Sequence, residues 1–211
     1  MPSSHISLPP SETGFYDDAR AVFDWLAQGQ NLDSSDLVIY GESLGTGVAV
    51  QLATERDFKG VILAAPYTSI AQMAADDYPW PMPNLGNVIE SYYNNTVKRL
   101  YHMEKPVVCA VNGIAAGAGA NIPLACDFVI AAKSAKFVQA FCKIGLIPDS
   151  AGTWLLPRLV GLARAKQLAM LGNPLSAEQA VNWGLIFKAV DDDLLHEESI
   201  AFAKQLATQP T

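Results

Sequence analysis

The sequence predicts an α/β protein, a mostly parallel sheet of βα units flanked by helices. Three observations carry that prediction. Short apolar runs such as "LVIYG", "GVILAAP" and "PVVCAVNG" end in Gly or Pro, as strands buried on both faces do. Stretches with helical spacing of apolar residues lie between them, the βαβ rhythm of a parallel sheet. Half of the 211 residues are hydrophobic and 17% are charged, which supports a packed core rather than disorder.

Taken in order, "FYDDARAVFDWLAQ" places Phe15, Ala19, Val22, Phe23 and Leu26 on a helical stripe, with Asp17 and Asp18 near the favourable N-terminus. "LVIYG" (37–41) reads as a buried strand, "LGTGVAVQLATE" as a helix, and "GVILAAP" (60–66) as a second buried strand. "DYPWPMPNLGN" (77–87) carries Pro79, Pro81 and Pro83 and reads as a connector, because proline removes donors and extends its predecessors. Ile89, Tyr92, Tyr93, Thr96, Leu100 and Met103 then share one face of a helix over 85–103. "PVVCAVNG" (106–113) is a strand, "AAGAGANIPLAC" a tightly packed helix entry, and "FVIAAKSAKF" a strand region. The C-terminal third reads as helices. "LARAKQLAML" stops at Gly172, and Ser176 to Gln179 has capping-box spacing before a helix that Gly184 closes. "LIFKAV" is a short strand and "LLHEESIAFAKQLATQ" a last helix.

Charge and cysteine usage narrow the function classes. A net charge of −7 argues against nucleic acid or an anionic membrane surface as partner, since both reward clustered Lys and Arg. Small molecules and protein surfaces remain. Cys109, Cys126 and Cys142 lack C-x-x-C spacing and read as reduced thiols in a cytoplasmic protein. The N-terminus shows no basic start or apolar run, so no signal peptide is expected, and no apolar stretch reaches the roughly 20 residues that span a bilayer.

Gly41-Glu42-Ser43-Leu44-Gly45 has the G-x-S-x-G spacing of a nucleophile elbow, here between a strand and a helix. With "GFYDDARAVFDWL", "VIYGESLGTGVAVQLA" and "GVILAAPYTSI", the segment from about 11 to 83 resembles the α/β-hydrolase family. That resemblance implies Ser43 as nucleophile and the Leu44 amide as half of an oxyanion hole. The family's later Asp and His and its H-G-x loop have no counterpart in matching settings. Two readings follow: Ser43 as a turn residue that kept its shape, or a serine esterase in which His196 and one of Asp191, Asp192 or Asp193 serve as partners.

From about 84 onward, "KPVVCAVNGIAAGAGANIPLACDFVIAAKSAKFVQAFCKIGLIPDSAGTWLLPRLVGLARAKQLAMLGNPLSAEQAVNWGLIFKAV" closely resembles the crotonase, or enoyl-CoA hydratase/isomerase, superfamily. It is most similar to its phenylacetate-pathway enoyl-CoA isomerases. The resemblance implies an acyl-CoA thioester whose enolate oxygen is held by backbone amides, one at a helix N-terminus. Gly117-Ala118-Gly119 stands at the family's glycine-rich turn, so the Ala118 amide would be a donor; small residues there also permit close helix packing. The places of the hydratases' two glutamates hold Asn121 and Phe141, which argues against hydration. Asp149 in "GLIPDSAGT" matches the isomerases' proton-shuttling acid, and a loop carboxylate capping the next helix is its simpler role. The early loop with the first oxyanion amide and the later closing helices have no match.

The two resemblances meet near 82–86. They divide the chain into a hydrolase-like part (1–83) and a crotonase-like part (84–211), which one layered core can merge, because a helix and an apolar strand also precede this region in crotonases. The expectation is a crotonase-like, acyl-CoA-binding, isomerase-derived protein with a half-complete site and weak or no turnover. Its alternatives are a recombinant chimera without native catalysis and the esterase. No cofactor or metal is called for beyond a coenzyme A thioester as substrate, and a homo-oligomer is expected to cover apolar surface left by the missing helices.

Overall fold

The computed structural model describes residues 12–30, 32–42, 45–64 and 94–209. Ser43, Leu44, the proline-rich connector, the 82–86 junction and the first part of the helix expected over 85–103 lie outside the described residues. In chain order the elements are α1 (Glu12–Gln30), β1 (Val38–Glu42), α2 (Gly45–Glu55), β2 (Gly60–Ala64) and α3 (Asn94–Tyr101). Then come β3 (Val107–Val111), β4 (Ile114–Ala116), α4 (Ala118–Asn121), β5 (Phe128–Ala132) and β6 (Lys136–Val138). The chain continues through α5 (Gly152–Val160), α6 (Leu162–Leu171), β7 (Leu175–Ser176), α7 (Ala177–Asn182), β8 (Lys188–Val190) and α8 (Leu195–Ala207).

Among the described residues five strands form one sheet in the order β1-β2-β3-β5-β8, every neighbouring pair parallel. The apolar runs read from sequence explain its centre: Val61, Ile62 and Leu63 lie beside Val107, Val108 and Cys109, all buried. β1 and β2, from the hydrolase-like stretch, therefore hydrogen-bond into the same sheet as β3. α8 packs across β2, β3 and β5, and Phe202 on it meets Phe128 and Phe187 at ring separations of 4.9 and 5.0 Å.

One reading needs correction, and two are refined. "LVIYG" is not a strand buried on both faces: β1 is the sheet's edge, half-buried, and Tyr40 is 41% exposed. The helix read from that spacing is α1, and its stripe lies mostly in solvent. α1 packs on α2 as an outer helix, so only Ala19 and Phe23 sink partway while Phe15, Val22 and Leu26 stay exposed. "FVIAAKSAKF" is two strands in two sheets, because β6 leaves β5 to pair with β4 and β7 in a three-stranded sheet. Among local signals, Ser176 caps α7 as its spacing requires, its hydroxyl accepting from the Gln179 amide at 3.2 Å.

Candidate active site

β4 ends at Ala116, and the chain then turns at Gly117, whose φ of 58° and ψ of −126° suit a residue without a side chain. The Gly117 amide donates to the Val138 carbonyl on β6 at 2.9 Å, and its carbonyl accepts from Ala120 at 3.0 Å. This fixes the start of α4. Ala118 is its first residue, so the Ala118 amide has no partner within the helix and points out of its positive end. Ala118 and Gly119 are buried, and both roles foreseen for the small residues, close packing and amide presentation, are compatible with this turn.

The last residue of α4 carries the connection to the candidate acid. Asn121 is fully buried, and its Nδ2 donates to the backbone carbonyl of Asp149 at 2.9 Å. Gln139, just after β6, donates through Nε2 to Asn121 Oδ1 at 2.8 Å. The Asp149 carbonyl also accepts from the Gly152 amide at 2.7 Å. Between them Ser150 and Ala151 hold φ values of 47° and 61°, two successive left-handed residues with side chains. Asp149 is half-buried, and burial pushes its carboxyl above the ordinary range against the opposing hydrogen bond from Ser150 Oγ at 2.9 Å. The structure thus ties the last residue of α4, Asn121, to the turn that carries Asp149. Phe141 is buried in the short turn Ala140–Ile144.

The elbow fares differently. β1 ends at Glu42 and α2 begins at Gly45, the strand and helix expected on either side, while Ser43 and Leu44 themselves are outside the described residues. His196 lies edge-to-face on Tyr40 at 5.5 Å. Asp191 pairs with Lys133 at 2.6 Å, and Asp192 accepts from the Ser134 amide at 3.1 Å. Both carboxylates are engaged with the β5–β6 turn rather than with His196.

Asn121 and Gln139 were not read as a network from sequence. Their signal was a polar residue inside an apolar run, "AGAGANIPLA" and "KFVQAF", since a buried amide needs partners. Among the described residues no group of three or more His, Cys, Asp or Glu side chains is placed to hold a metal, and no helix is long and apolar enough to cross a membrane.

The sequence profile described as enoyl-CoA hydratase/isomerase matches residues 46–211, a span that includes part of the hydrolase-like stretch. The chain is 60% identical over 131 residues to the 1,2-epoxyphenylacetyl-CoA isomerase of Escherichia coli (strain K12), covering 62% of this chain and 50% of that protein. It is 48% identical over 128 residues to a probable enoyl-CoA hydratase of Rhodobacter capsulatus, covering 61% and 50%. The chain spans about half the length of these curated relatives. Among solved structures, the enoyl-CoA hydratase of Bacillus anthracis superposes with a TM-score of 0.67 at 32% identity, over 77% of this chain and 64% of that one. An enoyl-CoA hydratase from Polaromonas sp. JS666 gives 0.66 at 31%, over 78% and 66%.

Proposed function

Because the chain belongs to the enoyl-CoA hydratase/isomerase family, we propose that it binds an acyl-CoA thioester and moves a proton along the acyl chain, as an isomerase rather than a hydratase. The observation that carries this reading is the hydrogen bond from Asn121 to the Asp149 carbonyl, which ties the helix that starts at Ala118 to the loop that holds the acid. In the proposed step the Asp149 carboxylate accepts a proton from one acyl carbon. The resulting enolate places charge on the thioester oxygen, and the Ala118 amide donates to it. The carboxylic acid then returns its proton to a different carbon, the double bond shifts, and no water is consumed. Burial favours Asp149 for this work, since a raised carboxyl is a better proton acceptor near neutrality. Hydration is disfavoured because Asn121 and Phe141 stand where that chemistry needs carboxylates.

Among the described residues the proposed site offers one backbone amide, that of Ala118, to the oxyanion, so binding with weak or no turnover is expected. A chimeric origin, with residues 11–83 from a hydrolase, belongs to the same proposal. Its support is the elbow sequence, and a contiguous natural reading frame would remove it. Assembly into a homo-oligomer is supported by the exposed Phe15, Val22 and Trp25, and light scattering tests it. The esterase alternative has less support, given where Asp191 and Asp192 point, and the absence of Ser43-dependent fluorophosphonate labelling would end it.

Calorimetry with an enoyl-CoA and deuterium uptake into its acyl chain in D₂O test the main reading. Asp149→Asn should keep binding and lower exchange by about 10²-fold or more. No heat at millimolar ligand, or exchange indifferent to Asp149, would overturn it.

A further inference from the structure

Asp149 does not hold its place by its own loop alone. The carbonyl of Asp149 can only accept, so the Asn121 side chain must turn its NH₂ toward it and its oxygen away. That oxygen in turn requires the NH₂ of Gln139, which fixes the direction of both amides. Asn121 is fully buried and Gln139 nearly so, and Gln139 Oε1 ends the relay with no donor among the described residues. Below this chain lies Gly152. A Cβ there would sit 2.6 Å from Asn121 Cγ and 2.8 Å from its Oδ1, closer than side chains pack, and would also strike Nδ2. Gly152 is therefore the space in which the Asn121 amide lies. The segment so clamped contains the two left-handed residues Ser150 and Ala151, a conformation that persists only where its surroundings over-determine it.

We propose that Asn121 and Gln139 are positioning residues for Asp149, a directional amide relay that clamps the 149–152 turn and so fixes where the Asp149 carboxyl lies. The inference rests on the reading of Asp149 as the proton shuttle only for its effect on turnover. Its effect on the carboxyl itself is independent of that reading. Releasing the clamp lets the turn swing toward solvent, where the carboxyl loses the burial that disfavours its charged form.

The test is a ¹³C-carboxyl NMR titration of the full chain, with the Asp149 signal assigned by its loss in Asp149→Asn. Asn121→Ala, Gly152→Ala and Gln139→Met should each move the Asp149 midpoint down toward the ordinary carboxylate range, Gln139→Met least because it acts one link away. With an enoyl-CoA, Asn121→Ala should lower kcat by about 10²-fold with KM within about twofold, the scale of a small misplacement. Gly152→Ala added to Asn121→Ala should cost nothing more, because the side chain it strikes is gone. Should Asn121→Ala fail to fold, Gln139→Met and Gly152→Ala carry the test. The proposal is overturned if folded variants leave the Asp149 midpoint in place, or if the Asn121 and Gly152 losses multiply. A chain that shows no exchange but whose Asp149 midpoint follows Asn121 sinks the proton-shuttle reading and supports the relay.

Discussion

Ser199→Ala should make this protein more stable, although it alters one of the most buried residues of α8. Ser199 is 1% exposed, and its hydroxyl has no hydrogen-bond partner among the described residues. A polar group taken from water without a replacement partner costs about 1–3 kcal/mol. Removing it recovers that cost and adds up to about 0.5 kcal/mol, because alanine is the better residue in a helix interior. Against this stands the loss of one oxygen's packing contacts, about 0.1–0.2 kcal/mol for each atom pair. The balance is a gain of about 1–2 kcal/mol. At about 2–4 °C per kcal/mol for a chain of this size, Tm should rise by about 2–8 °C. Urea unfolding followed by circular dichroism measures it, and the midpoint should move up with an unchanged m-value. A midpoint equal to or below that of the parent protein would refute the reasoning and show that an internal water satisfies the hydroxyl. The sign is what decides, because most substitutions at buried positions destabilise.

Gly172→Ala should destabilise by about 1–2 kcal/mol or more, read by the same unfolding curves. Its φ of 60° is left-handed, and a Cβ would lie 2.7 Å from Cys142 Sγ and 3.1 Å from the Gln139 carbonyl. α1 should loosen in acid. Its Arg20 guanidinium grips both oxygens of Glu55 at 2.6 and 2.7 Å and, with the Gln51 amide, holds that carboxyl down at about 2 from an ordinary 4.5. A depressed carboxyl contributes stability that is complete above 4.5 and is lost as the pH falls toward 2. Hydrogen exchange of α1 amides relative to those of α8 should rise across that window. The window should vanish in Arg20→Ala, and equal protection of the two helices throughout would count against the clamp.

The elements legible from sequence are those whose signals are local. α6 ends where Gly172 supplies a left-handed residue, α7 begins where Ser176 accepts from Gln179, and β3 is a five-residue apolar run with every residue buried. What local signals could not convey is which strand pairs with which. Nothing between Phe128 and Val138 announces that the chain changes sheets at Lys133 and Ser134. That is decided by β4 and β7, which lie far away in sequence. The same limit applies at the site. Ala118 and Asp149 sit in recognisable motifs, whereas the Gln139–Asn121 pair is separated by 18 residues and depends on where β6 delivers its end. A lone amide in an apolar run says that a partner exists, not which one.

The boundary between the two resemblances raises the same physical issue. Parallel strands are joined through backbone groups that every residue carries, so β1 and β2 can extend the sheet at β3 whatever their ancestry. Side-chain fit is the more demanding criterion, and it differs across the N-terminal unit. At the β2–β3 seam, Val61, Ile62 and Leu63 are as buried as the strand they meet. On α1, Trp25 is 73% exposed and has no such cover. α1 is held instead by contacts to α2 and the turn after it: the Arg20–Glu55 pair, Asp24 on Arg56 at 3.3 Å, and Phe23 edge-on to Phe58 at 5.2 Å. β2 is thus buried against β3, while α1 leaves Trp25 in solvent. The Arg20–Glu55 pair should weaken as the pH falls from 4.5 toward 2, and α1 should loosen from α2 over that range.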